Sequence, residues 1–300
     1  MESLNFSGFK PVTLKDKEIF KDYLAIQSRM SCECNFGNLY AWGEKYELVW
    51  TRFMDRLVMY SGLEKEIQMP LGKYFSPEEL AQLSTQFADR GHGNGCFYDV
   101  PEDYLDKYPE VKDFFEVEYS EDFDDYIYST CSICRLDGRR LRKKRNLIKQ
   151  FTHENPGFKC ISINRENVSA ALNLALELNA AMPQGRFIEE ENHAMRRAFA
   201  AFHELEMEGI ILYDGQGELV GFSTFSRLNP ETYDIHFEKA SRESKGAAQM
   251  VTRQTACYLH GKCKYMNREQ DLGSEGLRQA KRSLDPALMY KRYHLTRKDV

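Results

Sequence analysis

Three hundred residues with 41 basic and 46 acidic side chains carry a formal net charge of −5, which excludes a uniformly basic nucleic-acid wrapper but leaves local patches open. The length suits two domains, and 42% hydrophobic with 13% aromatic residues excludes a disordered chain. No run reaches the roughly 18 apolar residues of a membrane helix, and the opening MESLNFSGFK has no apolar stretch behind a basic one, so a cytoplasmic protein is expected.

In chain order, Asp16–Met30 reads as a helix, and Glu47–Trp50 with Arg56–Tyr60 as a strand pair turning at Met54-Asp55. Ser76-Pro-Glu-Glu79 starts a further helix, with a capping serine, proline at the first helical position and acids in the first turn. Gly91-His-Gly-Asn-Gly95 turns into the strand Cys96–Val100; a strand follows where a nucleotide fingerprint needs a helix. Tyr126–Ser129 is read as a strand and the basic segment after it as a helix ending near Asn155-Pro156. The second half contains a strand at Phe158–Ile163, helices at Glu166–Asn179 and Glu189–Glu206, and an antiparallel meander of Gly209–Tyr213, Glu218–Phe225 and Thr232–Glu238. A helix from Gly246 to about Leu259, a strand at Lys264–Met266 and a helix from Ser274 to Ser283 complete it. Antiparallel strands, then a glycine-initiated helix, then another strand belong to an α+β, acyltransferase-like mixed sheet rather than to a doubly wound parallel one.

Charge is unevenly placed. Glu102–Asp125 is crowded with carboxylates, whereas Gly138–Phe151 carries Arg139, Arg140, Arg142, Lys143, Lys144, Arg145 and Lys149 with no acid. Leu141, Leu147, Ile148 and Phe151 give that basic segment one apolar face, so its cations point outward, either into solvent, toward the acidic segment or toward phosphate. Of the eight cysteines only Cys32/Cys34 and Cys131/Cys134 are close pairs; their unmatched spacing argues against a zinc ribbon, and all eight are read as packed thiols. His203 and His260 lack a partner at i+4, and the acidic run lacks the spacing of a calcium loop, so no metal is predicted.

Two further segments point to chemistry. Glu243-x-x-Gly246-x-Ala248 falls between a strand and a helix, where GNAT-type acyltransferases place the loop that receives an acyl-CoA pyrophosphate, although the leading residue here is an acid. Asn267-Arg-Glu-Gln-Asp-Leu-Gly-Ser-Glu-Gly-Leu-Arg278, followed by Ala280-Lys281, is the densest polar run and lies between a strand and a helix; Arg278 and Lys281 share a helical face.

Three segments together resemble the phosphatidylglycerol lysyltransferase C-terminal-domain family: Cys134-x-Leu136-x-Gly-Arg-x-x-x-Lys-Lys-Arg-Asn146, His236-Phe-Glu-Lys-Ala240 with Gly246, and Asn267-Arg-Glu-x-Asp-x-Gly-x-x-Gly-Leu-Arg-x-Ala-Lys281 with Pro286 and Lys291-x-Tyr293. Asn35-Phe-Gly-Asn-Leu-Tyr-Ala-Trp42 is similar to that family's opening helix. The resemblance implies two tandem GNAT-like domains, related to Fem-type aminoacyltransferases, expected at 1–135 and 136–300 with the basic helix 138–151 at the junction. It also implies transfer of an aminoacyl group from a charged tRNA. The lipid-modifying synthases couple this region to membrane spans that this chain lacks, so the acceptor is an amine or hydroxyl, with a lipid headgroup less expected.

Such a transfer needs a base, positive charge at the developing oxyanion and a cationic path for phosphates. Glu269, Asp271 and Glu238 are the candidate carboxylates and Lys239 the candidate catalytic cation. Asn267, Arg268, Arg278, Lys281, Gly246, Lys143, Lys144, Arg145 and Asn146 are the candidate substrate contacts. No tightly bound cofactor is expected: aminoacyl-tRNA is the expected donor, with acetyl-CoA as the alternative. A non-catalytic RNA- or partner-binding protein on the same fold is the rival from another class.

Overall fold

The computed structural model describes residues 2–182 and 185–298. In chain order the elements are β1 (Lys10–Pro11), α1 (Lys17–Leu24), α2 (Phe36–Gly43), β2 (Leu48–Phe53), β3 (Arg56–Ser61), β4 (Glu66–Gly72), α3 (Pro77–Asp89), β5 (Phe97–Pro101), α4 (Glu102–Lys107), α5 (Val111–Phe114) and β6 (Phe115–Tyr119). Then follow β7 (Asp125–Ser129), α6 (Thr130–Arg135), α7 (Arg142–Glu154), β8 (Lys159–Ser162), α8 (Val168–Ala180), α9 (Arg186–Ala200), β9 (Glu208–Tyr213), β10 (Leu219–Asn229) and β11 (Thr232–Ala240). The chain closes through α10 (Ala247–Leu259), β12 (Tyr265–Asn267), α11 (Glu275–Arg282), β13 (Leu288–Tyr290) and β14 (Arg292–Arg297). No helix among the described residues is long and apolar enough to cross a membrane.

Local chemistry explains the elements that the sequence foretold. Ser76 Oγ accepts from the Glu79 amide at 3.3 Å, and Glu79 returns the bond to the Ser76 amide at 2.9 Å, a closed capping box at the start of α3. Met54 and Asp55 both take positive φ (46° and 56°), the backbone handedness that a two-residue β2–β3 hairpin demands. The helix expected over Asp16–Met30 stops at Leu24, because Arg29 is drawn into the interior, donating to the Met69 and Pro70 carbonyls at 3.1 and 3.0 Å.

Two compact units emerge, Met1–Asp124 with Tyr290–Val300, and Asp125–Met289. Each contains a seven-stranded mixed sheet, ordered β1-β2-β3-β4-β5-β14-β6 in the first and β13-β7-β12-β11-β10-β9-β8 in the second. These are the same plan: a meander of four strands, a fifth strand parallel to the fourth (β5 on β4, β12 on β11), and an antiparallel strand inserted beyond it. The fold is α+β with two tandem GNAT-like units, as expected. The division, however, falls between residues 124 and 125 rather than at 135/136. Strand β7 completes the second sheet, so the second unit begins with it, and β14 returns to complete the first. The basic helix α7 therefore lies inside the second unit rather than at a junction: Leu141, Ile148 and Phe151 pack with Leu212, Val251 and Met250.

The first unit buries Val58, Ile67, Phe87, Phe97, Phe115 and Leu295 in one cluster. Arg292 fastens β14 there: its Nε donates to the Phe123 carbonyl at 2.9 Å, and its Nη1 lies 3.3 Å from Asp99 Oδ1 and 3.4 Å from Glu33 Oε1. Arg292→Met leaves two carboxylates beside an apolar stem, and a loss of about 3–5 kcal/mol is expected in urea unfolding. An unchanged midpoint would show that β14 is held by backbone pairing alone.

Candidate functional site

In the second unit β11 and β12 run parallel for three residue pairs, Thr232↔Tyr265, Tyr233↔Met266 and Asp234↔Asn267, and then part. Beyond the split β11 stays paired to β10, but with a bulge: Ile235 faces Phe225 and Phe237 faces Thr224, leaving His236 as the extra residue. The bulge resets which side chains share a face. Tyr233 and Ile235 join the cluster that includes Ala256 and Leu259 of α10, and Glu238 reaches Thr252 of the same helix. Phe237 turns instead to the ring of Phe199 on α9, 6.3 Å away, and Lys239 to Glu191 on α9. One strand thus presents polar groups to both faces of the sheet beside an open split.

On the α10 face, Glu238 Oε1 accepts from Arg268 Nη2 and from Thr252 Oγ1, each at 2.6 Å. Glu238 Oε2 is buried and has no hydrogen-bond partner among the described residues. Lys144 of α7 is half-buried nearby. Burial, and then the positive charge of Arg268, push its ammonium below the ordinary lysine value. Arg268 thus faces two neighbours of opposite charge, Glu238 as its ion-pair partner and Lys144 as a cation that it repels.

On the opposite face, His236 Nε2 lies 2.8 Å from Ser226 Oγ, and Nδ1 lies 3.7 Å from Asp234 Oδ2. Burial pushes His236 down to about 3, so the imidazole is neutral across the physiological range. Glu269 points to this face, its donor atom within 4.8 Å of those of Asp234 and His236. Lys239 is 2.9 Å from Glu191, which also accepts from Asn179 Nδ2 at 2.9 Å.

The polar run after β12 folds on itself. Asp271, fully buried, accepts from Arg278 Nε and Nη2 at 2.9 and 2.8 Å, from Tyr126 Oη at 2.6 Å and from the Gly273 amide at 3.0 Å. The Arg278 guanidinium holds the carboxyl down to about 2. Lys281 Nζ donates to the carbonyls of Arg268 at 2.6 Å, of Glu269 at 3.0 Å and of Gln270. Asn267 Oδ1 accepts the Glu269 amide at 2.6 Å, and Glu269 itself takes φ +56°. Asp271, expected as a catalytic carboxylate, and Arg278 and Lys281, expected as substrate contacts, thus make hydrogen bonds that build the loop, while the loop directs Arg268 to Glu238 of β11 and Glu269 toward Asp234 and His236. The basic trio divides too. Lys143 and Asn146 are exposed, Lys144 faces Arg268, and Arg145 caps the end of α6 through the carbonyls of Leu136 and Gly138.

Gly246 sits in the left-handed region (φ +86°) immediately before α10, and a Cβ there would lie 2.3 Å from the Leu147 carbonyl of α7. Glu243 is exposed at the head of that turn. The reading of all eight cysteines as thiols is corrected at two of them. Cys134 and Cys257 form a disulfide between α6 and α10, their Cα atoms 4.7 Å apart, because α6 packs directly along α10, with Arg253 Nε also bonding the Cys134 carbonyl at 3.1 Å.

Sequence reasoning passed over Asp234, His236 as a site residue, Ser226, Thr252 and Glu191. A signal was there: Asp234-x-His236-x-Glu238 alternates polar residues along an otherwise apolar strand. Asp271→Asn is expected to cost on the order of 3 kcal/mol at neutral pH. Because the carboxyl titrates near 2 when folded against about 4 when unfolded, that stability is full above about pH 4. The gap between wild type and variant should therefore close as pH falls from about 4 toward about 2. Urea titrations from neutral pH to pH 2 measure it; a gap independent of pH would contradict the ionised pair.

A family model described as phosphatidylglycerol lysyltransferase, C-terminal, matches residues 25–296. No match is found among curated proteins by sequence. Among solved structures, a conserved protein of unknown function from Bacteroides thetaiotaomicron superposes with a TM-score of 0.89 at 27% identity, covering 97% of this chain and 99% of that one. An L-PGS from Bacillus licheniformis gives a TM-score of 0.64 at 13% identity over 95% of this chain and 93% of that one. The C-terminal domain of a putative lysylphosphatidylglycerol synthetase from Agrobacterium fabrum gives 0.63 at 13%, over 95% and 92%. The two latter likenesses establish shared fold. With a family match across nearly its whole length, the chain belongs to the phosphatidylglycerol lysyltransferase C-terminal family, acyltransferase-like proteins built on paired GNAT-like units.

Proposed function

We propose that the second unit transfers an aminoacyl group from an aminoacyl-tRNA to a hydroxyl or amine acceptor at the β11–β12 split. The observation that carries this reading is Arg268, which pairs with Glu238 and whose charge also reaches Lys144; Glu238 Oε2 is buried without a hydrogen bond among the described residues. Glu238 Oε2 takes the proton of the acceptor, whose oxygen or nitrogen then bonds to the donor's ester carbon. Negative charge moves to the carbonyl oxygen beside Arg268 and Lys144, cations that need little rearrangement to meet it. The ester C–O bond breaks, and the departing ribose oxygen receives the proton from Glu238. Lys143 and the exposed cations around it extend the positive surface along α7 for a phosphate backbone.

Acetyl-CoA is the second reading, favoured by the left-handed Gly246 that opens α10. Two features weigh against it. Glu243 places a carboxylate at the head of that turn, and α6 and α7 already occupy flanks of α10.

Binding to bulk tRNA and to acetyl-CoA, measured side by side across a salt series, separates the readings. Salt-dependent tRNA binding is expected, with Lys143→Ala and Lys144→Ala each lowering the salt slope by about one. Glu238→Gln should keep tRNA binding and lower transfer from charged tRNA by about 10²–10⁴-fold. Saturable CoA binding without tRNA binding replaces the donor. tRNA binding with transfer indifferent to Glu238→Gln makes this an RNA-binding protein on an acyltransferase fold.

A further inference from the structure

The disulfide between Cys134 of α6 and Cys257 of α10 takes no part in that chemistry, and it does not lie where a structural staple would. Both cysteines are partly open to solvent, as is the thiol Cys131 one helical turn earlier on α6. The apolar contact between the two helices is made by other residues: Ile133 is buried in one cluster with Ala256 and Leu259. α6 is also fixed at both ends without its sulfurs. It begins where β7 stops, with the Thr130 amide donating to the Lys264 carbonyl at 3.0 Å. It ends at the buried Leu136, whose carbonyl accepts from Arg145 of α7. The bond is an addition to an interface that is already packed, placed where a reagent reaches it.

Cys134 is gripped twice. Arg253 and Cys257 are four apart and share a face of α10; the first donates Nε to the Cys134 carbonyl at 3.1 Å, and the second holds its sulfur. Thr252, next to Arg253, donates from Oγ1 to Glu238 Oε1 at 2.6 Å. The helix that the sulfurs hold is also the helix that steadies Glu238.

We infer that Cys134–Cys257 is a reversible redox clasp, opened by a vicinal dithiol, whose state sets how firmly α10 is held against α6. One thiolate of the dithiol attacks either sulfur, and the other sulfur departs as a thiolate and takes up a proton. The dithiol's second thiolate then attacks the mixed disulfide and leaves as part of a cyclic disulfide, and the last protein sulfur is protonated in turn. Two electrons and two protons pass to the protein, and the dithiol is oxidised. Exposure is what makes a disulfide open to such exchange. The closed form ties residues 123 apart, a long loop whose constraint favours the folded chain. Ile133 and Leu136 keep α6 in place when the bond opens, so the two thiols stay neighbours and the clasp can close again. The inference concerns α6 and α10, and it holds whatever reaction Glu238 serves.

The test treats the whole protein with glutathione disulfide, blocks its thiols with N-ethylmaleimide in denaturant and maps linked peptides by mass spectrometry. A Cys134–Cys257 link is expected, with Cys131 alkylated. Dithiothreitol added to the native protein should remove the link with the circular dichroism unchanged, and lower the melting temperature by roughly 5–15 °C. It should also speed amide hydrogen exchange in α6 and α10 but not in β2 and β3 of the first unit, and glutathione disulfide should reverse each change. Cys257→Ser, and independently Cys134→Ser, should show the faster exchange without reductant and ignore dithiothreitol, whereas Cys131→Ser should respond as the wild type does. A Cys131–Cys134 link in its place overturns the inference, as does the absence of any link at Cys134 after oxidation. A link that yields to dithiothreitol only in urea also overturns it, in favour of a static staple. So does exchange in α10 that is the same with the bond open and closed.

Discussion

Two parallel strands that pair for only three residues and then diverge set the terms for everything nearby in the second unit. Where β12 leaves β11, the backbone of residues 268–270 loses a neighbouring strand and needs other partners for its carbonyls. Lys281 supplies them with a single ammonium, and Asp271 with Arg278 ties the following turn back to α11. Once those groups are committed, Arg268 and Glu269 leave the loop in opposite directions, one toward Glu238 and α10, the other toward Asp234 and His236. The bulge at His236 does the same for β11. The site's two faces follow from satisfying a broken ladder.

The first unit has the same split and treats it differently. β4 and β5 pair only at Ile67↔Phe97 and Gln68↔Tyr98, and β4 also slips register against β3, with Met69 and Pro70 spanning Val58. There Arg29 takes the Met69 and Pro70 carbonyls, and Ser31, Gln68, Cys34 and Arg292 all turn to the buried Asp99, itself at φ +58°. Burial, and then Asp99, push the Cys34 thiol well up, so it stays protonated as part of the packing. In the first unit the side chains around the split turn together onto one buried aspartate, whereas in the second Arg268 and Glu269 go to opposite faces of the sheet.

Much of this was legible in the chain. Alternation and helical spacing located the β9–β11 meander, α8, α10 and α11, and the Ser76 capping box and the Met54-Asp55 turn marked their elements outright. The polar run 267–281 stands out in the sequence, but composition cannot tell which of its carboxylates builds the loop: Asp271 and Glu269 look alike until the bonds of Asp271 to Arg278, Tyr126 and Gly273 are seen. β4 was hidden by Pro70, which argues against an inner strand unless, as here, the strand bulges and its neighbour has already departed. The shared plan of the two units left no sequence repeat, because strand order is kept by burial pattern and not by residue identity. The Cys134–Cys257 pairing joins residues 123 apart and depends on α6 lying along α10, which no local pattern encodes.

The exchange of β7 and β14 reaches beyond architecture. Strand β14 sits between β5 and β6, so β6 has no inner neighbour until residues 292–297 exist. The second unit, by contrast, is one continuous stretch, Asp125–Met289. Synthesis delivers the first unit's residues earliest, yet that unit must keep an unpaired sheet edge while the whole of the second emerges from the ribosome. Birth order and completion order are reversed: the chain of the second unit ends at Met289, before the strand that the first sheet still needs between β5 and β6. A chain that stops within the second unit carries that sheet edge unpaired.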